Sequence, residues 1–295
     1  MNTIIAATNF SEGSNHAVAF ATGMARALKA QLVIFNVIGL VPAMSDVQLP
    51  LNVCDVTIEE TDKLLEDLAL RAKTGANNEI EVKTLYKVGS VIKELDALCQ
   101  REAPFALVIA SRFVTAFERL ILGTYSVSIA KYSAFPVLVV PPSATMNGFK
   151  KVAIAVDLDA ENTIQWQFLK HWLAPFDPQV DIVYISAQTE GTGKEPPAAI
   201  DFGEQLGNDN LEYYFLKNNN VAEGIKDYIV EKKPELLVMS VQKHGLFHKS
   251  ITKPFIERPP VPVLFLSSKL KEDGRPLAAG RSATPPSVLT GYPGY

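Results

Sequence analysis

Apolar residues in this chain gather in short continuous runs, and the segments between the runs are amphipathic. Asn2 to Thr8 and Gln31 to Ile38 are two such runs, and Ser11 to Leu28 lies between them. A run that is apolar along its whole length is typical of a strand buried on both faces of a parallel sheet. Because a helix is predicted after each strand, the pattern indicates a doubly wound α/β fold.

The same alternation continues through the first half of the chain. A second helix is predicted at Ile58 to Lys73, where three leucines recur at helical spacing. The other predicted elements are a strand at Val82–Tyr86, a helix at Ser90–Arg101, a strand at Phe105–Ala110, a helix at Ala116–Tyr132 and a strand at Val137–Val140. The first half is thus predicted to form a five-stranded parallel sheet.

The order of elements then repeats from about Lys150. Each half opens with an apolar run that ends on an Asx residue, Asn9 or Asp157, and each closes on a strand led by Pro-Val-Leu. The second half is predicted to contain strands at Val152–Val156, Val180–Ile185, Leu211–Leu216, Glu235–Ser240 and Val261–Leu266, with helices at Asn162–Trp172 and Val221–Lys232. We therefore predict two copies of one domain, at residues 1–145 and 149–268.

The second copy departs from the first in two places. Gln188 to Asn210 replaces the second-helix region, and only Ile200 to Leu206 is predicted to be helical there. The fourth helix is shortened and contains Pro254. Beyond these, residues 269–295 lose the periodicity and are rich in proline and glycine, so they are predicted to be a disordered tail.

Composition narrows the class of protein. The chain has 295 residues, of which 47% are hydrophobic and 20% charged, enough for two cores of ordinary domain size. A net charge of −4 without a basic stripe argues against nucleic acid as a partner. Its two cysteines fit a reducing compartment, its start lacks a basic signal-peptide region, and no apolar run reaches membrane-spanning length. These features predict a cytoplasmic protein without a membrane partner.

Four stretches carry a family resemblance: Asn9-Phe-Ser-Glu12, Leu122-Gly-Thr-Tyr-Ser126 and the two closing Pro-Val-Leu strands. Up to about Ser268 the chain resembles the universal stress protein family in its tandem two-domain form. The resemblance implies Rossmann-like domains of the adenine nucleotide alpha hydrolase type. It also implies an intramolecular pseudo-dimer that pairs Pro136–Val140 with Pro262–Leu266. Association with a second chain and with an unidentified protein partner is compatible with it.

The same resemblance defines candidate nucleotide-binding residues. Family members that hold ATP carry G-x-x-G, nine residues, then G-[S/T], and aligning this motif on Gly123-Thr124 places its first glycines at Ala110 and Phe113. A benzyl side chain at Phe113, where a bare backbone is needed, either fills the phosphate space or swings away from it. The implied contacts in the first domain are Asn9 in place of the family's Asp, Val37 at adenine, and Arg112, Arg119, Gly123, Thr124, Tyr125 and Ser126 at the phosphates.

In the second domain Asp157 is retained, but the terminal glycine pair has no counterpart. We therefore expect no ATP bound there in the family's manner. His244 and His248 are four residues apart, but Gly245 lies between them and no third ligand is near in sequence, so no metal site is predicted. Ser11 is best explained as a helix N-cap, and Trp166 and Trp172 as a packing face. No catalytic group stands out.

These observations leave three functional hypotheses. The first is a stress-response binding or regulatory module that acts through partners or a small ligand, without conventional catalysis and with no certain cofactor. The alternative is a switch that binds ATP or AMP in the first domain and hydrolyses it slowly or not at all. The third, an adenylyl-transferring or hydrolysing enzyme, is least favoured because Asn9-Phe-Ser-Glu12 follows the first strand where such enzymes have a glycine-rich loop.

Overall fold

A computed structural model describes residues 2–39, 51–111, 128–130, 133–157, 164–186, 202–241, 249–267 and 270, without the side chains of 51–57, 249 and 250. The strands in this part of the chain are β1 (Thr3–Thr8), β2 (Gln31–Gly39), β3 (Val82–Gly89), β4 (Ala106–Ala110), β5 (Val137–Val140), β6 (Lys151–Ala155), β7 (Gln179–Ser186), β8 (Leu211–Lys217), β9 (Leu236–Val241) and β10 (Val263–Ser267). The helices are α1 (Glu12–Leu28), α2 (Leu51–Gly75), α3 (Val91–Glu102), α4 (Trp166–Leu173), α5 (Phe202–Leu206), α6 (Val221–Lys232) and α7 (Lys249–Glu257).

All ten of these strands belong to one sheet, in the order β3-β2-β1-β4-β5-β10-β9-β6-β7-β8. Neighbouring strands are parallel within each half. The halves join where β5 and β10 pair antiparallel, with Leu138 opposite Leu264. The predicted fold class and the predicted pairing of the closing strands are both confirmed. The domain boundaries at 145, 149 and 268 stay predictions.

Both faces of the sheet are covered by helices. Successive strand residues, such as Ile4 and Ile5, point to opposite faces of the sheet, and both of these side chains are fully buried. One face packs against α1, α2, α4 and α5, and the other against α3, α6 and α7. This two-sided burial explains why the strands are apolar along their whole length.

Aromatic rings connect the two halves on the first of these faces. Trp172 in α4 stacks on Phe105, with ring centroids 5.0 Å apart, and its indole nitrogen donates to the Phe105 carbonyl oxygen at 3.0 Å. Phe149, between β5 and β6, packs against Trp172, Phe176 and Phe20. The packing role predicted for Trp172 is confirmed, and this cluster ties the second half to the first.

Several element ends differ from the predictions. Strand β3 continues to Gly89 because it stays paired with β2 as far as Gly39, and α2 begins at Leu51 rather than at residue 58. The shortened α5 and the proline within α7 agree with prediction. Of the helix predicted at 116–132 only residues 128–130 are described, and they are helical. The predicted tail lies outside the described residues. None of the helices described is long and apolar enough to cross a membrane.

Candidate functional site

The strand order defines one crevice in each half. From β1 the chain winds outward through β2 and β3, and then returns to the other side of β1 to form β4 and β5. In such sheets ligands bind beyond the carboxyl ends of the strands at the point where the winding reverses. In the first half this point lies between β1 and β4, and in the second half between β6 and β9. We call the space at the carboxyl ends of β1, β2 and β4 the first-half crevice.

A polar turn closes the end of β1 at this crevice. The Asn9 side-chain oxygen accepts from Ser11 Oγ at 2.7 Å and from Ser11 N at 3.3 Å. The Thr8 hydroxyl is 3.0 Å from Ser14 Oγ and accepts from Phe10 N at 3.0 Å. Ser14 Oγ also accepts from Asn9 N at 3.3 Å. The oxygen of Asn9 is thus committed to the turn, and its carboxamide nitrogen has no hydrogen-bond partner among the described residues, which leaves it available to a ligand.

The same turn starts α1. Ser11 is the N-cap, and its hydroxyl accepts from Ser14 N at 3.3 Å, as predicted. Asn15 Nδ2 donates to the Phe10 carbonyl, and Phe10 has a φ of 65°, in the left-handed region. Because the chain reverses within so few residues, the backbone of Asn9 and the amino end of α1 are held in one fixed arrangement.

The Val37 carbonyl also faces the first-half crevice. Odd-numbered residues of β2 direct their backbone groups toward β1, as the bond from Gln31 N to Asn2 O (2.9 Å) shows. At Val37 the next donor along the ladder would be Phe10 N, but β1 has ended and that amide donates to Thr8 Oγ1 instead. The hydrogen-bond ladder between β1 and β2 therefore ends before Val37, and the Val37 carbonyl points past the end of β1.

The third side of the crevice is the end of β4. Ala110 is the last residue of β4 and is half-buried, while Ser111 is buried and donates its amide to Val140 O at 2.9 Å. The structure thus places Asn9, Val37 and Ala110 at adjacent strand ends. The remaining predicted residues lie outside the described part of the chain: Arg112, Phe113, Arg119, Gly123, Thr124, Tyr125 and Ser126.

The second-half crevice holds Asp157, which follows β6 and is 7% exposed. At the start of α4, the Gln165 side-chain oxygen is buried and has no hydrogen-bond partner among the described residues. His244 and His248 lie outside the described residues. In the part of the chain that the structure describes, no three His, Cys, Asp or Glu side chains lie together as a metal site would require. Burial raises the pKa of the Cys99 thiol, which makes it a poor nucleophile.

A buried charged cluster was not predicted. Asp181 in β7 is fully buried, 3.0 Å from Lys151 Nζ, and accepts from the Tyr228 hydroxyl. Burial, followed by this hydrogen bond to the carboxylate, raises the pKa of Tyr228. The cluster lies near the amino ends of β6 and β7, away from the crevices, so we assign it to stability. The sequence feature that could have indicated this cluster is Asp181 itself, an acidic residue within an otherwise largely apolar strand.

Fold and crevice together define a doubly wound α/β protein of the kind that binds ligands at its strand ends. Residues 1–141 match the model of the universal stress protein family. The first half of the chain is therefore similar to the universal stress protein family, as the sequence resemblance indicated.

Three structural neighbours extend the likeness to the whole fold. A universal stress protein from Archaeoglobus fulgidus DSM 4304 superimposes with a TM-score of 0.69 and 18% identity, covering 90% of this chain and 96% of that one. A candidate universal stress protein from Pseudomonas aeruginosa UCBPP-PA14 gives a TM-score of 0.57, 13% identity and coverages of 90% and 93%. A functionally unknown protein from Pseudomonas aeruginosa PAO1 gives 0.54, 13%, and coverages of 92% and 94%. No curated protein matches the sequence.

Proposed function

We propose that the chain is a stress-response binding and regulatory module without conventional catalysis, and that its small-ligand site is the first-half crevice. It acts in the cytoplasm, either through that ligand or through a protein partner that senses the crevice. The observation that carries the proposal is that one donor, Asn9 Nδ2, and one acceptor, Val37 O, lie at the ends of neighbouring strands.

The chemistry of these two groups favours recognition over turnover. The hydroxyls of Thr8, Ser11 and Ser14 are hydrogen-bonded within the turn, so they serve to hold Asn9 in place. Asn9 itself is neutral and does not titrate, so it is no general acid or base. A donor beside an acceptor suits a ligand with the reverse arrangement, such as a heterocycle with an amino group next to a ring nitrogen.

A nucleotide switch is the second candidate, because adenine has that arrangement. In this version Val37 O accepts from the exocyclic amine and Asn9 Nδ2 donates to an acceptor on the base or ribose. Ala110 is a mild departure from the family's glycine. The resemblance assigns the phosphates to Arg112, Arg119, Gly123, Thr124, Tyr125 and Ser126, which lie outside the described residues. ATP or AMP is held in the first half, and hydrolysis is slow or absent.

The variant Asn9→Asp separates the roles of the two Asn9 atoms. It keeps an acceptor for Ser11 and replaces the carboxamide nitrogen by a charged oxygen, at nearly constant size. A ligand present at a hundred times its dissociation constant adds roughly 2.7 kcal/mol to the stability of the native state. Asn147→Asp is the matched control, since it adds the same charge at an exposed site whose carboxamide bonds Thr145.

The experiment is a calorimetric and thermal-shift titration with ATP, ADP, AMP and adenosine, with and without magnesium, on wild type and both variants, with phosphate release followed in parallel. Saturable binding whose affinity is altered by Asn9→Asp, which installs the residue of the family's ATP-binding members, and is unaltered by Asn147→Asp, without phosphate release, supports the nucleotide version. No binding by any nucleotide removes that version and leaves a different small ligand or a protein partner. Phosphate release at rates typical of enzymes overturns the proposal.

A further inference from the structure

Strand β8 ends the sheet on the second-half side. Among the described strands it pairs with β7 alone, so one of its edges has no neighbouring strand there. The direction of its backbone groups follows from two bonds: Val180 N donates to Asn210 O at 2.9 Å, and Asn218 N donates to Ser186 O at 3.0 Å. Even-numbered residues therefore face β7. The odd-numbered residues, Leu211, Tyr213, Phe215 and Lys217, direct their N–H and C=O groups to the open edge.

The side chains at this edge are aromatic and accessible. Tyr213 is 44% exposed and Phe215 is 42% exposed, and their rings stack at 6.4 Å with an interplanar angle of 6°. In the first half the corresponding face of β3 packs against the long helix α2, but α5 has only five residues. Among the described residues, this short helix leaves an apolar strip along the outer edge of β8, and such a surface favours pairing with another strand.

We propose that β8 pairs antiparallel with β8 of a second copy of this chain, with the two-fold axis at Tyr214. This register aligns the whole strand and opposes Tyr213 with Phe215 of the second copy, and Leu211 with its Lys217. Every outward-facing residue then lies in a hydrogen-bonded pair, which gives about eight hydrogen bonds across the joint. The four exposed rings meet on one face as cross-strand aromatic pairs.

Charge is compatible with a second copy at β8 and disfavours a second copy at β3. In the proposed register Glu212 opposes Leu216, so no like charges meet across the β8 joint. The strand at the other end of the described sheet, β3, carries Lys83 and Lys87. Its equivalent full-length register, with the axis at Leu85, opposes Lys83 with Lys87 twice at the closely spaced non-bonded positions. Like charges there disfavour self-pairing of β3, whereas β8 has no such protection.

The test is a charge swap at the aromatic strip, read by sedimentation equilibrium. Wild type is expected to convert from the monomer mass of 32.2 kDa to twice that mass as concentration rises. Tyr213→Lys with Phe215→Lys, and separately Tyr213→Glu with Phe215→Glu, are each expected to weaken self-association at least about tenfold. An equimolar mixture of the two variants is expected to recover dimers, because lysine then opposes glutamate.

Two controls keep the test independent of folding. Thr84→Lys with Val88→Lys places the same charges on the outward positions of β3, and dimerisation is expected to be unchanged. Tyr213→Pro removes one outward N–H without touching the bonds between β7 and β8, so its circular dichroism is expected to match wild type while its dimer is lost. A wild type that stays monomeric up to about 0.5 mM, where even a weak complex would be populated, overturns the proposal. So does a lysine variant that dimerises as wild type does.

Discussion

The aromatic joint between the halves gives the sharpest test of the fold. Trp172 is 2% exposed, contacts Phe105, Phe149 and Phe176, and donates to the Phe105 carbonyl at 3.0 Å. Trp172→Ala removes this side chain from a site whose walls belong to both halves and to the connection between them. Such truncations in a packed core cost about 3–5 kcal/mol. Because the walls come from separate parts of the chain, we expect little collapse and a value near the upper end.

Trp172→Phe divides that cost into packing and hydrogen bonding. Phenylalanine preserves most of the ring contact but leaves the Phe105 carbonyl without its donor, which we expect to cost about 1–3 kcal/mol. Trp166→Phe is the matched control, since Trp166 lies in the same helix and its ring packs on Phe202 within the second half. Unfolding in guanidinium chloride, followed by far-UV circular dichroism, measures all three free energies. A loss below about 1 kcal/mol for Trp172→Ala would refute the reasoning.

Three further predictions concern stability. Ser11→Ala removes the cap of α1 and is expected to lower the free energy of unfolding by about 1 kcal/mol, measured by the same denaturation. Leu264→Ala, at the fully buried joint of β5 and β10, is expected to cost about 2–5 kcal/mol while calorimetry still shows one transition for both halves. The pKa of Tyr228 is raised from 10.0, so the protonated phenol stabilises the fold below pH 10, and stability is lost as pH rises above it. A thermal-melt series across pH 8–11.5, which spans the ordinary tyrosine pKa near 10, is expected to show this decline in wild type and a weaker one in Tyr228→Phe.

The sheet could be predicted from sequence because a strand that is buried on both faces requires a continuous apolar run such as Val137–Val140. A helix with one solvent-exposed face interrupts such a run with polar residues. Turn chemistry was equally local, so the Ser11 cap followed from residue type. The end of β3 could not be predicted, because Lys87 and Gly89 become strand residues only through their pairing with β2.

The candidate site was harder to derive. Asn9 was evident as the residue after an apolar run, but the commitment of its oxygen to Ser11 depends on a φ of 65° at Phe10, which no pattern in the sequence reveals. Among the described residues the Val37 carbonyl lacks a partner in the ladder because β1 ends at Thr8, whereas β2 continues to Gly39. The Asp181 cluster likewise joins residues from β6, β7 and α6, which only the fold brings together.

The most direct test of the central claim is an NMR titration that follows the Asn9 side-chain amide. Nitrogen-15-labelled protein is titrated with AMP, ATP and a small set of neutral heterocyclic amines, and Asn9→Asp identifies the resonance pair. The account predicts that every compound that binds saturably shifts the Asn9 carboxamide protons together with backbone amides at the ends of β1 and β2. A compound that binds saturably, shifts amides elsewhere and leaves Asn9 unchanged would contradict it.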